Sequence, residues 1–171
     1  LRRLARSISI VQRAPGRLKQ SVAESSFDTW TRFYKQDENS PNALVSYYTK
    51  GSLVAAGLDL SIRQSTADRH SLDDVMRLMW QRYGRDFYRG DQQGVEETAM
   101  PAVIQEATGY DATEFLSRYA YGREDVPLAE LLASYGISLR WKAAKNELGL
   151  DARLRSSNDQ CIVATVYEGG V

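Results

Sequence analysis

The chain is poor in the residues that most often carry chemistry. Among 171 residues there is one cysteine, Cys161, and one histidine, His70. A single cysteine excludes an internal disulfide and leaves the redox compartment open. Cys161 lies in the apolar run Gln160-Cys161-Ile162-Val163-Ala164-Thr165-Val166, with no histidine beside it. A buried structural thiol is therefore expected there, not a nucleophile. One histidine also excludes any His-x-x-x-His metal pair, and His70 reads as a surface or capping residue at a helix entrance. Charge of one sign is missing as well: 22 Lys+Arg balance 22 Asp+Glu. No long-range field draws nucleic acid or an anionic membrane, and neither partner is expected. Arg2, Arg3, Arg6, Arg13, Arg17 and Lys19 make the N-terminal end mildly basic, at a spacing that suits a solvated helix face. No secretory signal is visible.

What is present is organised around the stretch from Ser40 to Arg63. Between Tyr47 and Ile62 only Lys50 and Asp59 interrupt an uncharged run, which is too short and too interrupted to span a membrane. Apolar and small residues fall on all sides of a 3.6-residue wheel, so the run is expected to be a helix buried all round. Gly51, Ala55, Ala56 and Gly57 let neighbouring elements approach its backbone. Glycine inside a helix costs roughly 1 kcal/mol relative to alanine, so two of them point to a packing reason. Two starts are open. Ser40-Pro41 offers a capping hydroxyl followed by proline, and Ser46 is a second cap candidate. The second would put Tyr47 and Tyr48 in the first turn, beside the unpaired N–H groups and positive end of the helix. A phenol there is able to donate to a developing oxyanion. The alternative is a tyrosine pair packed at a core margin with wet hydroxyls.

The rest of the chain reads as further helices and then strands. Leu1, Leu4, Ile8 and Val11 share a helix face, which Ala14-Pro15-Gly16 ends. Helical spacing resumes from Leu18 to Lys35, with a break expected at Ser25-Ser26. Ser71 caps a helix through Leu78 that stops at Gly84, and Gly109 stops another from about Thr98. Asp111 caps a short helix bearing Phe115 and Tyr119, and Pro127 opens one through Ser134. From Ile137 the pattern changes: Ile137-Ser138-Leu139-Arg140-Trp141 alternates as a strand does, Leu150 to Leu154 less cleanly, and a turn at Ser156 to Asp159 precedes the strand around Cys161. The expected fold is mainly α, a helical bundle over residues 1–136 followed by a short β-rich segment over 137–171.

The segment Ser46-Tyr47-Tyr48-Thr49-Lys50-Gly51, followed by a small-residue helix, resembles the Tyr-x-Lys-Gly segment of the gluzincin zinc aminopeptidases. Ala23-Glu24-Ser25-Ser26-Phe27-Asp28-Thr29-Trp30 and Asp37-Glu38-Asn39-Ser40-Pro41-Asn42 narrow the resemblance to the glycyl-aminopeptidase family. That bacterial group has a thermolysin-like catalytic domain followed by a PDZ domain. The resemblance implies that residues 1–136 are the helical C-terminal half of such a domain and that 137–171 begin a PDZ-like module. It also implies that Tyr48, directly before x-Lys-Gly, donates its hydroxyl to the tetrahedral intermediate; Tyr47 stands one residue too far. Glu24 is a candidate either for holding this scaffold or for meeting a substrate amine, and Gly51 is a candidate for the substrate side. Leu148-Gly149-Leu150 would match the carboxylate-binding loop of a PDZ domain, which captures peptide C-termini with backbone N–H groups.

The family's zinc ligands, a His-Glu-x-x-His pair and a glutamate on the next helix, are not in this sequence. The chain thus resembles the C-terminal part of a longer zinc aminopeptidase, supplying the tyrosine while zinc is held elsewhere and none by these residues. The implied substrate is a peptide with N-terminal glycine or another small residue, in the cytoplasm or periplasm of a bacterium. A helical scaffold carrying a PDZ-like peptide-binding module is the second reading.

Overall fold

A computed structural model of the chain describes residues 1–90, 94–142, 151–157 and 159–168. Helix α1 (Arg2–Arg13) turns Ile8 and Val11 inward and ends at Ala14, whose extended backbone suits the proline that follows. A single 3₁₀ turn, Pro15–Leu18, leads to α2 (Val22–Phe27). The Ser21 hydroxyl accepts from the Glu24 N–H at 3.0 Å, and the Glu24 carboxylate accepts from the Ser21 N–H at 2.7 Å, a reciprocal capping box. The expected break at Ser25-Ser26 falls slightly later. Asp28 ends α2, and a wide turn, Thr29–Phe33, closes with an i→i+5 bond from the Tyr34 N–H to the Thr29 carbonyl.

Both helix starts in the central stretch are used. Ser40–Ala43 forms the short α3 with proline in its first turn, Leu44 is extended, and Ser46 then caps α4 (Tyr47–Ser65). The Ser46 hydroxyl accepts from the Thr49 N–H at 3.2 Å. Helix α4 is the axis of the molecule and serves two cores. Val54, Leu58 and Ile62 pack with Val75, Val103, Ile104, Phe115, Leu116 and Tyr119. Leu53 packs with Ile8, Val11, Leu128 and Leu132. It is not buried all round, however: Tyr48, Ser52 and Ala55 form an exposed stripe along its first half, at i, i+4 and i+7 spacing. One of its glycines has a clear packing reason. A Cβ on Gly57 would meet Val126 Cγ1 at 2.3 Å.

Helices α5 (Leu72–Met79), α6 (Met100–Thr108), α7 (Thr113–Leu116) and α8 (Leu128–Ala133) close around this axis. Their ends follow local chemistry. The Ser71 N–H donates to Asp74 at 2.9 Å, Gly109 takes the left-handed φ of 76°, and the Asp111 carboxylate accepts from the Thr113 N–H at 2.9 Å. No helix among the described residues is long and apolar enough to cross a membrane.

Beyond α8 the outcome departs from expectation in two places. Ile137 to Trp141 forms no strand. Its alternation is real, but Ile137 and Leu139 lie against the core between α1, α4 and α8 rather than in a sheet. Among the described residues the strands are β1 (Ala152–Ser157) and β2 (Gln160–Val166), an antiparallel hairpin pairing Ala152 with Val166 and Ser157 with Gln160. Cys161 is exposed, not buried. Two strands alone make no second layer, so most of β2 is left facing solvent.

Candidate functional site

Tyr48 sits at the second position of α4 and is 60% exposed, at the head of the Tyr48-Ser52-Ala55 stripe. Its hydroxyl lies 3.3 Å from that of Tyr34, at the end of the wide turn after α2, and either one is able to donate. The Tyr47 and Tyr48 rings stack at 4.2 Å, and Phe33 meets Tyr47 edge-on at 5.1 Å. Tyr47 is thereby half-buried, while Tyr48 keeps a free face. Tyr34 escapes sequence reading because its only signal was one more apolar position in a helical pattern.

The lead-in that delivers these tyrosines is held by buried polar side chains. The Ser25 hydroxyl donates to the Val45 carbonyl at 2.6 Å, and the Val45 N–H donates to Gln20 Oε1 at 3.1 Å. Gly16 sits directly under Leu44, where a Cβ would come within 2.2 Å of the Leu44 carbonyl oxygen.

Two residues beyond Tyr48, Lys50 is 2% exposed. Its ammonium donates to the carbonyls of Arg17 at 2.8 Å and Arg123 at 3.0 Å, and lies 3.9 Å from Asp125 Oδ1. Asp125 is also held by Arg17 Nε at 2.8 Å and Gln12 Nε2 at 3.2 Å. Burial holds the Lys50 ammonium below the ordinary lysine range, the Asp125 carboxylate opposes that shift, and the Arg17 charge adds to it. A cavity of about 140 Å³ lies beside this cluster, lined by Ile8, Val11, Leu53, Val54 and Leu128.

The other sequence candidates are placed as follows. Both oxygens of Glu24 are engaged, Oε2 with the Ser21 N–H and Oε1 with the Arg123 guanidinium at 3.1 Å. The Ser21 N–H bond chiefly, and then Arg123, holds its carboxyl below the usual range. Gly51 turns toward α2, where a Cβ would make ordinary contact with Val22 at 3.6 Å. Leu148, Gly149 and Leu150 lie outside the described residues.

Among the described residues no three or more His, Cys, Asp or Glu side chains come together to hold a metal ion. His70 Nδ1 lies 3.6 Å from Asp74. The described residues thus bring together no set of three ligands such as a catalytic zinc needs.

The chain is mainly helical, as expected, and Ser46 caps the helix that begins with Tyr47 and Tyr48. The model of the M61 glycyl aminopeptidase family matches residues 1–54, so this part of the chain is similar to these peptidases. That span takes in Glu24, Tyr34, the lead-in and the Tyr47 to Gly51 turn. Comparison with curated proteins and with solved structures gave no match.

Proposed function

We propose that the chain is the tyrosine-bearing part of a zinc aminopeptidase that removes N-terminal glycine or another small residue. The reading is supported chiefly by Tyr48, an exposed phenol at the capped start of the longest helix, within the family-matched span. A phenol so placed donates a hydrogen bond to the oxyanion of a tetrahedral intermediate and needs no change of charge to do so. When Tyr34 donates to the Tyr48 oxygen, the Tyr48 proton is free to point outward, and its donor strength rises. Tyr47, stacked and half-buried, is the lesser candidate. For Glu24 we propose the scaffold-holding role, since an amine would have to displace Arg123. Gly51 would act only by keeping the turn free of a side chain on the face toward Val22. Zinc would be held by residues outside this chain, and peptide C-termini would be captured by a PDZ-like module around Leu148, Gly149 and Leu150.

The test is hydrolysis of glycyl- and alanyl-anilides, with zinc present, by the longer protein that carries the zinc ligands. Tyr48→Phe should lower kcat by roughly 10²–10³-fold with folding intact. An unchanged kcat removes Tyr48 from the chemistry. Inactivity of both proteins favours the helical scaffold.

A further inference from the structure

Resting on the reading of Tyr48 as the oxyanion donor, we propose that Lys50 is its positioning residue. Lys50 anchors the first turn of α4 from inside and so aims the tyrosine at the reacting carbonyl. Residues two apart on an α-helix point about 200° away from each other. Pinning Lys50 inward therefore turns Tyr48 outward, as their exposures of 2% and 60% show. The pin is made at three points. The ammonium meets a carbonyl from the turn after α1 (Arg17), a carbonyl from the connection before α8 (Arg123), and the Asp125 carboxylate. Those segments are distant in sequence, so the turn is fixed against the body of the protein and not only against its own helix.

The cluster also reaches the other groups near the tyrosine. Arg123 gives its carbonyl to Lys50 and its guanidinium to Glu24, which completes the capping box of α2. Helix α2 in turn supplies Ser25, which holds Val45. Lysine, unlike an apolar residue of the same length, sets the rotation and depth of the turn by directed bonds. Methionine would fill the space and leave the rotation to packing alone. The Tyr-x-Lys part of that spacing then has a physical sense: donor outward, anchor inward.

The deciding experiment is a double-mutant cycle on anilide hydrolysis by the longer, zinc-containing protein, with Lys50→Met and Tyr48→Phe alone and combined. The expected result is that Lys50→Met lowers kcat on the order of 10²-fold, the scale of a 1 Å misplacement. KM should be unchanged, and the loss should vanish in the Tyr48→Phe background. An equal loss in both backgrounds would make Lys50 a structural residue only, and an unchanged kcat would overturn the proposal outright. Should Tyr48→Phe itself leave kcat intact, the reading of Tyr48 falls and this proposal with it, a pattern distinct from the other two. If Lys50→Met fails to fold, Asp125→Asn carries the same cycle, with a smaller loss expected that again disappears without the Tyr48 hydroxyl.

Discussion

The hydroxyl of Ser25 donates a 2.6 Å hydrogen bond to the carbonyl of Val45, twenty residues later and fully inside the protein. This bond ties α2 to the strand-like lead-in of α4, one residue before the Ser46 cap. Ser25→Ala leaves the carbonyl buried with no donor, which costs about 1–3 kcal/mol. Urea unfolding should show a lower midpoint with an unchanged slope. An unaltered midpoint would show that the Val45 carbonyl finds another donor.

Gly16 tests the same lead-in from below. Its backbone is in ordinary space, so the need for glycine comes from crowding alone. An alanine Cβ would stand 2.2 Å from the Leu44 carbonyl oxygen and 2.6 Å from its nitrogen. Main chain cannot swing aside as a flexible side chain does. Gly16→Ala should destabilise by roughly 1–3 kcal/mol or more. Gly51→Ala is the control: its Cβ meets only Val22, at 3.6 Å, and its effect on the melting temperature should be slight.

How far the sequence foretold this arrangement depended on the range of the interaction. The caps at Ser46 and Ser71 and the stop at Gly109 were legible because a side chain or a missing Cβ acts on its own turn. Lys50 was visible as an interruption of an apolar run and as part of the Tyr-x-Lys-Gly segment, but not as a buried charge. Its burial depends on carbonyls of Arg17 and Arg123, which no local pattern brings near it. The alternation at Ile137 and Leu139 did mark inward-facing residues, but a strand needs a partner, and here the apolar side met helices. Cys161 failed for a related reason: an apolar run is buried only if a second layer covers it. Tyr47 and Tyr48 stood out through the Ser46 cap, and the resemblance favoured Tyr48, whereas the place of Tyr34 beside it required the fold.

The buried ammonium predicts a pH dependence of stability. Its affinity for a proton is lower in the folded protein than in the unfolded chain, because burial disfavours the charge. Between that lowered value and about 10.4, the folded state binds fewer protons than the unfolded one. The contribution of Lys50 to stability therefore rises with pH across this window, and the penalty is fully present below it. Urea midpoints of the wild type and Lys50→Met should be compared across the alkaline range, since the difference cancels tyrosine ionisation. Wild type should gain on the variant as pH rises, and a flat difference would mean that the ammonium is not disfavoured by burial.

One asparagine that imitates a backbone strand hydrogen-bonds the hairpin to the helical part. Asn42, on α3, donates its amide N–H to the Val166 carbonyl at 2.8 Å and accepts the Glu168 N–H at 2.8 Å. Lys19 pairs with the Glu168 carboxylate, and the Arg13 guanidinium lies over the Tyr167 ring at 5.9 Å. The two charged contacts are on the surface, where such pairs contribute little. The asparagine is buried and makes both its bonds to the hairpin in directions fixed by the amide plane. Asn42→Ala should therefore free the end of β2 while leaving α4 and its cores intact. At about 1 kcal/mol for each of two lost bonds, the Glu168 amide should exchange with deuterium roughly 10–30-fold faster. Amides of Leu58 and Ile62 should keep their wild-type rates. If the Glu168 amide were equally protected in the variant, Lys19 and Arg13 would be the true fastening; if the α4 amides also sped up, the hairpin would be part of what holds the bundle closed.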